Sequence, residues 1–594
     1  MSVDFKKALE VEALVTVPEA MPKRIGKFEV TDGGVYVLGA NDEGEETRRW
    51  VFPYLEILAL GRDSDSENWS KLLRFKNADG ELRDWIMPMP MLAGGGTPIR
   101  EILLGKGYDA PHIGRNSAND PLLSYLYEQV ANRYRTVSRV GWHGEAFVLP
   151  DRAFGGGSEI ITYLAPDGSD HAFRTAGDLE GWKRTLGALC TGNSRLQFAV
   201  SVALAAPLLN TVGEQGGGFH LRGTTSKGKT TTLEVAASVW GGSINGAGGY
   251  VQSWRGTVNG LEAVTAGHND ALLCLDELGQ CDPKDAGEAA YMLANGLGKS
   301  RAGRSGGARR KASWRVLFLS TGELSLRDHA QAAGKRTHGG QEIRMAEIPF
   351  EVGEFGAFED LHGAASADAF ARQLKDASRQ YYGTPIRAFL EWLSGQDPKE
   401  VASNIKALRE AFMADLVPAD ASGEVSRVAG RFALVGAAGE MAIDAGILPW
   451  PQGEAFKAAE VCFAAWLATR NTIGASDTEQ GIAQVRKFLI ANGSSRFVKL
   501  DGERDDGTPR LVINRAGFRE DAVEGATYFI LTDVWRDEVC KGFNAAAIAR
   551  ALAEQGHLQR GSEDRPTVQR RFPEIGRTRV YAIRSSIFEG GDAC

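Results

Sequence analysis

A glycine-rich turn between a strand-like and a helix-like segment constrains this chain more than any other feature of its sequence. Residues 223–230 read GTTSKGKT and fit the pattern G-x-x-x-x-G-K-[ST] at every fixed position. The preceding GFHL favours a strand and the following TTLEVAASVW favours a helix, which is the context that this turn requires. The turn therefore predicts an α/β core that presents backbone N–H groups and a helix N-terminus to phosphates.

The residues of this turn have distinct expected roles in binding ATP. Glycines at 223 and 228 let the backbone turn inward around the phosphates, and Lys229 is expected to contact the β- and γ-phosphates. The Thr230 hydroxyl is expected to help hold Mg²⁺. The predicted nucleotide site contains Gly223, Thr224, Thr225, Ser226, Lys227, Gly228, Lys229, Thr230 and Thr231.

An apolar run that ends in two acids predicts the second half of the site. ALLCLDELGQ, residues 271–280, favours a buried strand that delivers Asp276 and Glu277 at its carboxyl end. Asp276 is expected to hold Mg²⁺ through water, and Glu277 to polarise the attacking water. Together with Lys229 as a catalytic residue, this pair indicates hydrolysis more than transfer of a phosphoryl group to a substrate hydroxyl.

A third apolar run, WRVLFLSTGE, places Ser320 and Thr321 at the polar end of another strand. They fit either a sensor of the γ-phosphate or a turn stabilised by hydroxyl groups, and the pattern does not choose between these. Arg336 and Arg344 are candidates for a finger acting on a neighbouring subunit, and Arg431, in the helical lid, could act on the nucleotide of its own chain. Each also fits a surface or structural role.

The order of patterns predicts an α/β fold with four domains. Strands are expected near 218–223, 250–254, 271–276, 314–321 and 342–350, which makes a P-loop ATPase core, AAA+-like, with a central, mostly parallel sheet. The predicted ranges are 1–155 for a β-rich domain, 180–355 for the ATPase core, 356–470 for a helical lid, and 471–594 for a winged-helix-like domain.

Two basic stretches stand out in a chain whose formal net charge is -8. The segment 299–311, here called the basic segment, combines glycines with Lys299, Arg301, Arg304, Arg309, Arg310 and Lys311, and contains no acid. It fits a loop or hairpin that grips DNA phosphates before the Ser-Thr strand, or a solvated loop. Residues 560–584 carry seven arginines and three acids. This second stretch fits either duplex or origin recognition, or protein docking.

The remaining composition is that of an ordinary globular protein, with 43% hydrophobic and 24% charged residues. The six cysteines lack metal-ligand spacing, so we expect reduced thiols and no zinc site. The amino terminus lacks a signal-peptide pattern and no apolar run is long enough to cross a bilayer. These observations predict a cytoplasmic protein without a membrane partner.

Several ordered motifs carry a resemblance to a known family. SWRGTVNGLEAV, LCLDELGQCDP, AYMLANGLGKSRAGRSG, WRVLFLSTGELSL and GGQEIRMAEIP resemble the family catalogued as domain of unknown function 927. GVYVL, RVGWHGEAFVLP, RVAGRFALVGAAGEMA and LPWPQGEAF are similar to its flanking regions, so the likeness spans roughly residues 25–470. It implies a helicase-like ATPase of bacteria, phages or mobile elements, resembling ring-shaped replicative helicases. Lys229, Thr230, Asp276 and Glu277 match its ATPase motifs.

The leading interpretation is an ATP- and Mg²⁺-dependent helicase or translocase that acts on single-stranded or forked DNA. This interpretation includes a homo-oligomer, with six subunits expected, and a primase or replication-initiation partner. Two other classes stay open at this point. The chain could be a nucleotide-dependent protein remodeller or loader, or a defence-related regulatory ATPase that binds DNA without unwinding it.

Overall fold

The computed structural model of the protein describes residues 22–93, 95–108, 120–157, 159–164, 171–224, 227–242, 249–299, 311–332, 343–418, 421–469, 477–500, 512–523, 525–562 and 565–588. The chain divides into two compact units. The first contains residues 1–333, 344–417 and 428–466, and the second contains residues 334–343, 418–427 and 467–594. Several sheets alternate with helices, so the predicted mixed α/β class is confirmed.

The amino-terminal part of the first unit is rich in strands. They are β1 (Lys23–Ile25), β2 (Phe28–Thr31), β3 (Gly34–Ala40), β4 (Glu46–Phe52), β5 (Leu55–Arg62), β6 (Ser70–Lys76), β7 (Leu82–Pro88), β8 (Arg133–Val137), β9 (Gly141–His143), β10 (Ala146–Val148), β11 (Ala153–Gly155) and β12 (Ile160–Tyr163). Helices α1 (Thr97–Gly105) and α2 (Pro121–Leu126) lie between β7 and β8.

These strands form three sheets. β1–β4 make an antiparallel meander, β9–β11 make an antiparallel sheet, and β12-β8-β5-β6-β7 make a mixed sheet. The rings of Phe28 and Phe52 pack edge-on against Tyr125 in the shared apolar core. Because β12 pairs with β8, this mixed sheet continues past residue 155. The four predicted domain ranges stay predictions.

A five-stranded parallel sheet forms the centre of the first unit. Its strands are β13 (Gly217–Arg222), β14 (Val251–Ser253), β15 (Leu272–Asp276), β16 (Leu317–Gly322) and β17 (Met345–Pro349), in the order β14-β15-β16-β13-β17. All four pairings are parallel, so the carboxyl ends of the strands share one edge, here called the carboxyl edge. β15 and β16 are almost entirely buried because a parallel sheet is covered on both faces. The predicted parallel sheet is confirmed.

Helices surround this sheet and follow it in the chain. Those before and between the strands are α3 (Leu179–Trp182), α4 (Ala188–Cys190), α5 (Ser194–Ala205), α6 (Leu208–Thr211), α7 (Lys229–Ser238), α8 (Val258–Gly267), α9 (Ala286–Asn295) and α10 (Leu326–Ala332), with a π-helical turn at Lys183–Gly187. The later ones are α11 (Ala367–Gln380), α12 (Thr384–Ser394), α13 (Pro398–Leu416), α14 (Gly423–Asp444) and α15 (Glu454–Ala468). In the part of the chain that the structure describes, no helix is both long and apolar enough to cross a membrane.

The second unit combines helices with a mostly antiparallel sheet. Its elements are α16 (Asp477–Asn492), β18 (Phe497–Lys499), β19 (Gly517–Ala522), β20 (Gly525–Leu531), α17 (Thr532–Val534), α18 (Ala545–Glu554), β21 (Leu558–Gln559), β22 (Val568–Phe572) and β23 (Gly576–Arg584). The strand order is β18-β19-β20-β23-β21, and β22 pairs with β23. The helix, turn and two strands around Gly576 are present as predicted, and the winged-helix-like assignment stays a prediction.

Candidate nucleotide-binding site

The glycine-rich turn leaves β13 at the carboxyl edge and opens helix α7. Gly228 has φ +94°, and a Cβ there would lie 2.8 Å from the Phe358 ring, so both conformation and space require glycine. The largely buried Lys229 begins α7, and its Nζ donates to the carbonyl oxygens of Gly223 and Thr224 at 2.7 Å each. The helix N-terminus and the ammonium group therefore face the same turn, which suits an anion.

A carboxylate that sequence reasoning missed braces this turn. Glu351, two residues beyond β17, accepts hydrogen bonds at Oε1 from the backbone N (3.1 Å) and the hydroxyl (2.6 Å) of Thr224. The side-chain hydrogen bond from Thr224 lowers the pKa of Glu351. Only its position just past a strand of the same sheet could have suggested this contact. Thr225 and Ser226 lie outside the described residues.

The Asp276 carboxylate lies next to the first turn of α7. The Thr230 hydroxyl is 3.4 Å from each carboxylate oxygen of Asp276. On its other side, the buried Thr321 donates its hydroxyl to Asp276 Oδ1 at 2.5 Å. Three strand or helix ends thus meet at one carboxylate, and the oxygen donors gathered there are those that Mg²⁺ prefers.

Glu277 has a backbone conformation that is uncommon for a residue other than glycine. Its φ is +57°, in the left-handed region, directly after the end of β15. Its backbone N donates to the Thr321 hydroxyl at 3.1 Å. Such strain persists where the surrounding contacts hold it, and it is concentrated at functional sites. Thr321 therefore positions both residues of the Asp-Glu pair.

The side chain of Ser320, in contrast, lies in a buried cluster away from the Asp-Glu pair. Trp254 Nε1 donates to the Ser320 hydroxyl at 2.8 Å, and that oxygen lies 2.9 Å from Nδ1 of His220. The other ring nitrogen of His220 lies 3.0 Å from the Leu324 carbonyl oxygen. Complete burial lowers the pKa of His220 to about 4, so the neutral ring donates to that carbonyl and accepts from Ser320. Of the two predicted sensor residues, the structure brings only Thr321 to the Asp-Glu pair.

Helix α7 also carries a buried carboxylate, Glu234. Glu234 lies one helical turn after Thr230 and is 3% exposed. Its Oε1 is 3.9 Å from Nζ of Lys375 on α11. Burial raises the pKa of Glu234 above its ordinary value, although the nearby Lys375 opposes the shift. The sequence offered no signal for this residue, because its burial comes from tertiary packing.

The three arginine candidates differ in where they lie. Arg431 donates to the Gly218 carbonyl at 3.5 Å and lies over the Phe219 ring, both near the start of β13. Burial lowers its pKa to about 10. The structure therefore places Arg431 at the edge opposite the glycine-rich turn, as a packing residue. It does not bring Arg431 to the predicted nucleotide site.

Arg344 precedes β17 at that same opposite edge. Its guanidinium lies 4.3 Å from the centroid of the Tyr291 ring, and its carbonyl accepts from Gly218 N at 2.8 Å. The structure does not bring it to the turn of its own chain. Arg336 lies outside the described residues. The finger assignment stays a prediction.

The described residues that flank the basic segment pair with each other in antiparallel fashion, and this pairing is here called the hairpin base. Gly298 N donates to the Ala312 carbonyl at 2.8 Å, Leu297 and Ser313 form an antiparallel bridge, and Trp314 N donates to the Gly296 carbonyl at 2.9 Å. This base leads directly into β16, at the edge where the parallel strands begin. Of the cations predicted to bind DNA, Arg301, Arg304, Arg309 and Arg310 lie outside the described residues.

The two described cations of the segment, Lys299 and Lys311, are both exposed. Lys299 Nζ lies 2.9 Å from the exposed Glu288 carboxylate. Such an exposed ion pair contributes little to stability and can be exchanged for another anion. DNA binding by the basic segment stays a prediction.

Comparison with known proteins finds a match to a family model and a solved structure of similar fold. Residues 28–313 match the family model of a domain of unknown function, DUF927. This range includes the glycine-rich turn and the Asp-Glu pair and ends at the hairpin base. No curated protein sequence matches the chain.

One solved structure is similar along almost the whole length of both chains. The active helicase Cch of SCCmec type IV superposes with a TM-score of 0.68 and 16% sequence identity, over 96% of this chain and 99% of that one. At this identity the similarity establishes a common fold. The resemblance to ring-shaped replicative helicases stays a prediction.

Proposed function

We propose that the protein is an ATP-driven DNA helicase or translocase that works as an oligomeric ring, with six subunits, in the replication of a mobile element or phage. The observation that carries the proposal is the meeting of Lys229, Thr230, Asp276 and Thr321 at the carboxyl edge of a parallel sheet. The matching fold of a protein described as an active helicase supports the same function.

The residues present fit ATP and Mg²⁺. The Gly228 conformation leaves room where a side chain would collide with Phe358, and Lys229 and the α7 N-terminus provide positive charge for phosphates. Thr230 and Asp276 would hold Mg²⁺, since their oxygens are 3.4 Å apart. Bound there, the ion would neutralise charge on the phosphate oxygens during hydrolysis.

Glu277 is the proposed general base. Its strained backbone follows β15 directly, and the bond from its N to Thr321 sets the direction in which its carboxylate leaves the sheet. A carboxylate in this position accepts a proton from water and directs that water toward the γ-phosphate. Thr321 is a positioning residue, because it holds Asp276 and Glu277 together.

Strand β16 connects the proposed site to the basic segment. Thr321 lies near its carboxyl end, and the hairpin base leads into its start at Leu317, about 13 Å from Thr321 at the rise of an extended strand. A rigid, fully buried strand transmits a displacement at one end to the other. We therefore assign hydrolysis to one edge of the sheet and the grip on DNA to the other.

The decisive test is ATP turnover with and without single-stranded DNA. The native chain should hydrolyse ATP faster when DNA is present, and Lys229→Ala should lower turnover about 100-fold or more, since it removes a preorganised phosphate contact. Turnover that is indifferent to DNA but rises with a partner protein would favour a protein remodeller or loader. Turnover and DNA binding without strand displacement would favour a regulatory ATPase.

A further inference from the structure

A two-stranded ribbon in the second unit carries three exposed arginines on one face. β22 and β23 pair in antiparallel register around the turn 573–575, with Arg571 opposite Arg577 and Gln569 opposite Arg579. Alternation along each strand puts these four side chains on the same face. Within the described part of the chain, none of the three arginines has an ion pair or a side-chain hydrogen bond.

Two described acids next to the ribbon are paired with other arginines, and Glu563 and Asp564, just before β22, lie outside the described residues. Glu520 accepts hydrogen bonds from both terminal nitrogens of Arg570, at 2.5 and 2.7 Å, on the opposite face of the ribbon. Glu574, in the turn, pairs with Arg515 at 2.5 Å. Among the described residues, the cation on one face of the ribbon is therefore neutralised and the three on the other face have no acidic partner.

This arrangement is unfavourable unless an anion binds. Directly opposite residues of an antiparallel pair have Cβ atoms about 5 Å apart, and like charges at that separation destabilise the pair. Arg571 and Arg577 occupy such a pair, with Arg579 on the diagonal. A ligand with several negative charges at regular spacing would relieve the repulsion among all three.

The neighbouring side chains distinguish between a single strand and a duplex as the polyanion. Proteins that bind single strands stack bases on exposed aromatic rings. On this face the next aromatic residue along β23, Tyr581, is stacked on the buried Trp535 at 4.6 Å between ring centroids, which makes its ring unavailable for a base. The turn instead exposes Ile575, an aliphatic side chain of the kind that minor-groove-binding proteins insert between the base steps of a duplex.

We infer that the ribbon β22–β23 binds duplex DNA, with Arg571, Arg577 and Arg579 on the phosphate backbone. This is a second DNA contact, in the other compact unit from the basic segment, and it holds double-stranded DNA. Its binding is mainly independent of sequence, because phosphate contacts position a protein without reading bases. Duplex binding by the ribbon requires no ATP hydrolysis.

The test uses the full-length chain without nucleotide, so failure of the proposed motor activity would not affect it. Fluorescence anisotropy measures binding to a short blunt-ended duplex and to a single strand of the same sequence, over a series of salt concentrations. The variant is Arg571→Gln, Arg577→Gln and Arg579→Gln together. We expect about tenfold or greater loss of duplex affinity, and a salt dependence whose logarithmic slope falls by roughly 2.7.

Two matched variants isolate the ribbon from other effects. Arg372→Gln with Arg379→Gln and Lys406→Gln removes the same charge from exposed helix positions, each paired with an acid of its own helix. Glu520→Gln with Arg570→Gln changes the opposite face without changing net charge. Both should bind duplex as the native chain does.

Three outcomes would overturn the inference. They are unchanged duplex affinity in the triple-arginine variant, an equal loss of affinity for the single strand, and an equal loss in the charge-matched helix variant. Within the described residues the three arginines make no ion pair and repel one another, so the variant should melt at the native temperature or slightly above it. A lowered melting temperature together with unchanged binding would equally contradict the assignment.

Discussion

The sequence alone does not reveal the role of Thr321. A Ser-Thr pair at the end of an apolar strand fits a sensor or a turn, and only the directions of the two side chains distinguish their roles. The structure turns Ser320 toward Trp254 and His220, and Thr321 toward Asp276. Alternation along a strand predicts that the two face opposite ways, but does not say which one faces the site.

We predict that Thr321→Ala lowers ATP turnover by roughly 10- to 100-fold. The change removes one hydrogen bond to the Asp276 carboxylate and one from Glu277 N, which leaves groups near the site without their partner. Thr321→Ser keeps the hydroxyl and should recover most of the turnover. Equal activity of the alanine variant and the native chain would show that Thr321 does not position the pair.

Glu277→Gln should separate binding of ATP from its hydrolysis. The amide has nearly the shape of the carboxylate but cannot accept the proton of the attacking water, so turnover should fall by about 100-fold or more. Binding of a fluorescent ATP analogue should remain close to native, since Lys229 and Thr230 are unchanged. Retained turnover would mean that another group acts as the base.

His220 predicts a pH dependence of stability in the first unit. An unfolded histidine has a pKa near 6.5, whereas the pKa of the buried ring is about 4. Between these values only the unfolded chain takes up the proton. The contribution is therefore fully present above pH 6.5 and is lost as the pH falls toward 4, by about 3 kcal/mol in total.

The comparison of native chain and His220→Gln measures this contribution. The variant should be less stable at pH 7, because Gln replaces the ring between Ser320 and Leu324 imperfectly, but should lose less stability between pH 7 and 5. Denaturant unfolding at each pH supplies both quantities. Parallel loss of stability in the two proteins would assign the pH dependence to other groups.

At the scale of elements, the strands of the central sheet could be predicted from the sequence, but the long-range contacts that hold them could not. Apolar runs such as LLCLD and LFLSTG reveal buried strands because both faces of a parallel sheet are covered. The Glu351 contact with Thr224 joins residues 127 apart in the chain, so no local pattern reports it. Strand order likewise depends on packing among helices that a single sequence does not specify.

The hairpin β9–β10 is attached to the central sheet through one such long-range contact. Asp270 is 1% exposed and has φ +55°, just before β15. Its carboxylate accepts from Trp142 N at 3.0 Å and from Arg315 Nε at 2.7 Å. Asp270 thus connects hairpin β9–β10 to Arg315, which lies just before β16.

Asp270→Ala should destabilise the first unit by about 3 to 5 kcal/mol. The change leaves a partly buried guanidinium without its carboxylate and puts alanine in a left-handed conformation that aspartate tolerates better. Asp270→Asn should cost less, since the amide keeps the shape and the preference for this conformation. Limited proteolysis and thermal unfolding measure both variants, and a native-like alanine variant would show that the contact is not structural.

For the whole molecule, fold class and the chemistry of the proposed site were more accessible to sequence reasoning than assembly or action on DNA. The turn and the Asp-Glu pair are local patterns, and the structure brings Thr230 and Asp276 together. Arg431 was a candidate for the same nucleotide, but it lies at the far end of β13 because helix packing, not sequence distance, sets its place. The residues that would join subunits of the proposed ring depend on contacts with a second chain.

Neutralising the basic segment should uncouple the molecule from DNA. Arg309→Ala, Arg310→Ala and Lys311→Ala together remove three cations of the basic segment, so the stimulation of turnover by single-stranded DNA should fall severalfold or more. The helix variant that carries Arg372→Gln, Arg379→Gln and Lys406→Gln serves as the control for net charge. Undiminished stimulation would place the grip on DNA elsewhere in the chain.

Strand displacement on a forked duplex tests the central claim most directly. The native chain with ATP and Mg²⁺ should release the labelled strand, while Lys229→Ala and Glu277→Gln should release none above the level seen without ATP. The basic-segment variant should fail in the same assay, and the net-charge control should succeed. Native protein that hydrolyses ATP on this fork without displacing or moving along either strand would contradict the account of the molecule as a DNA motor.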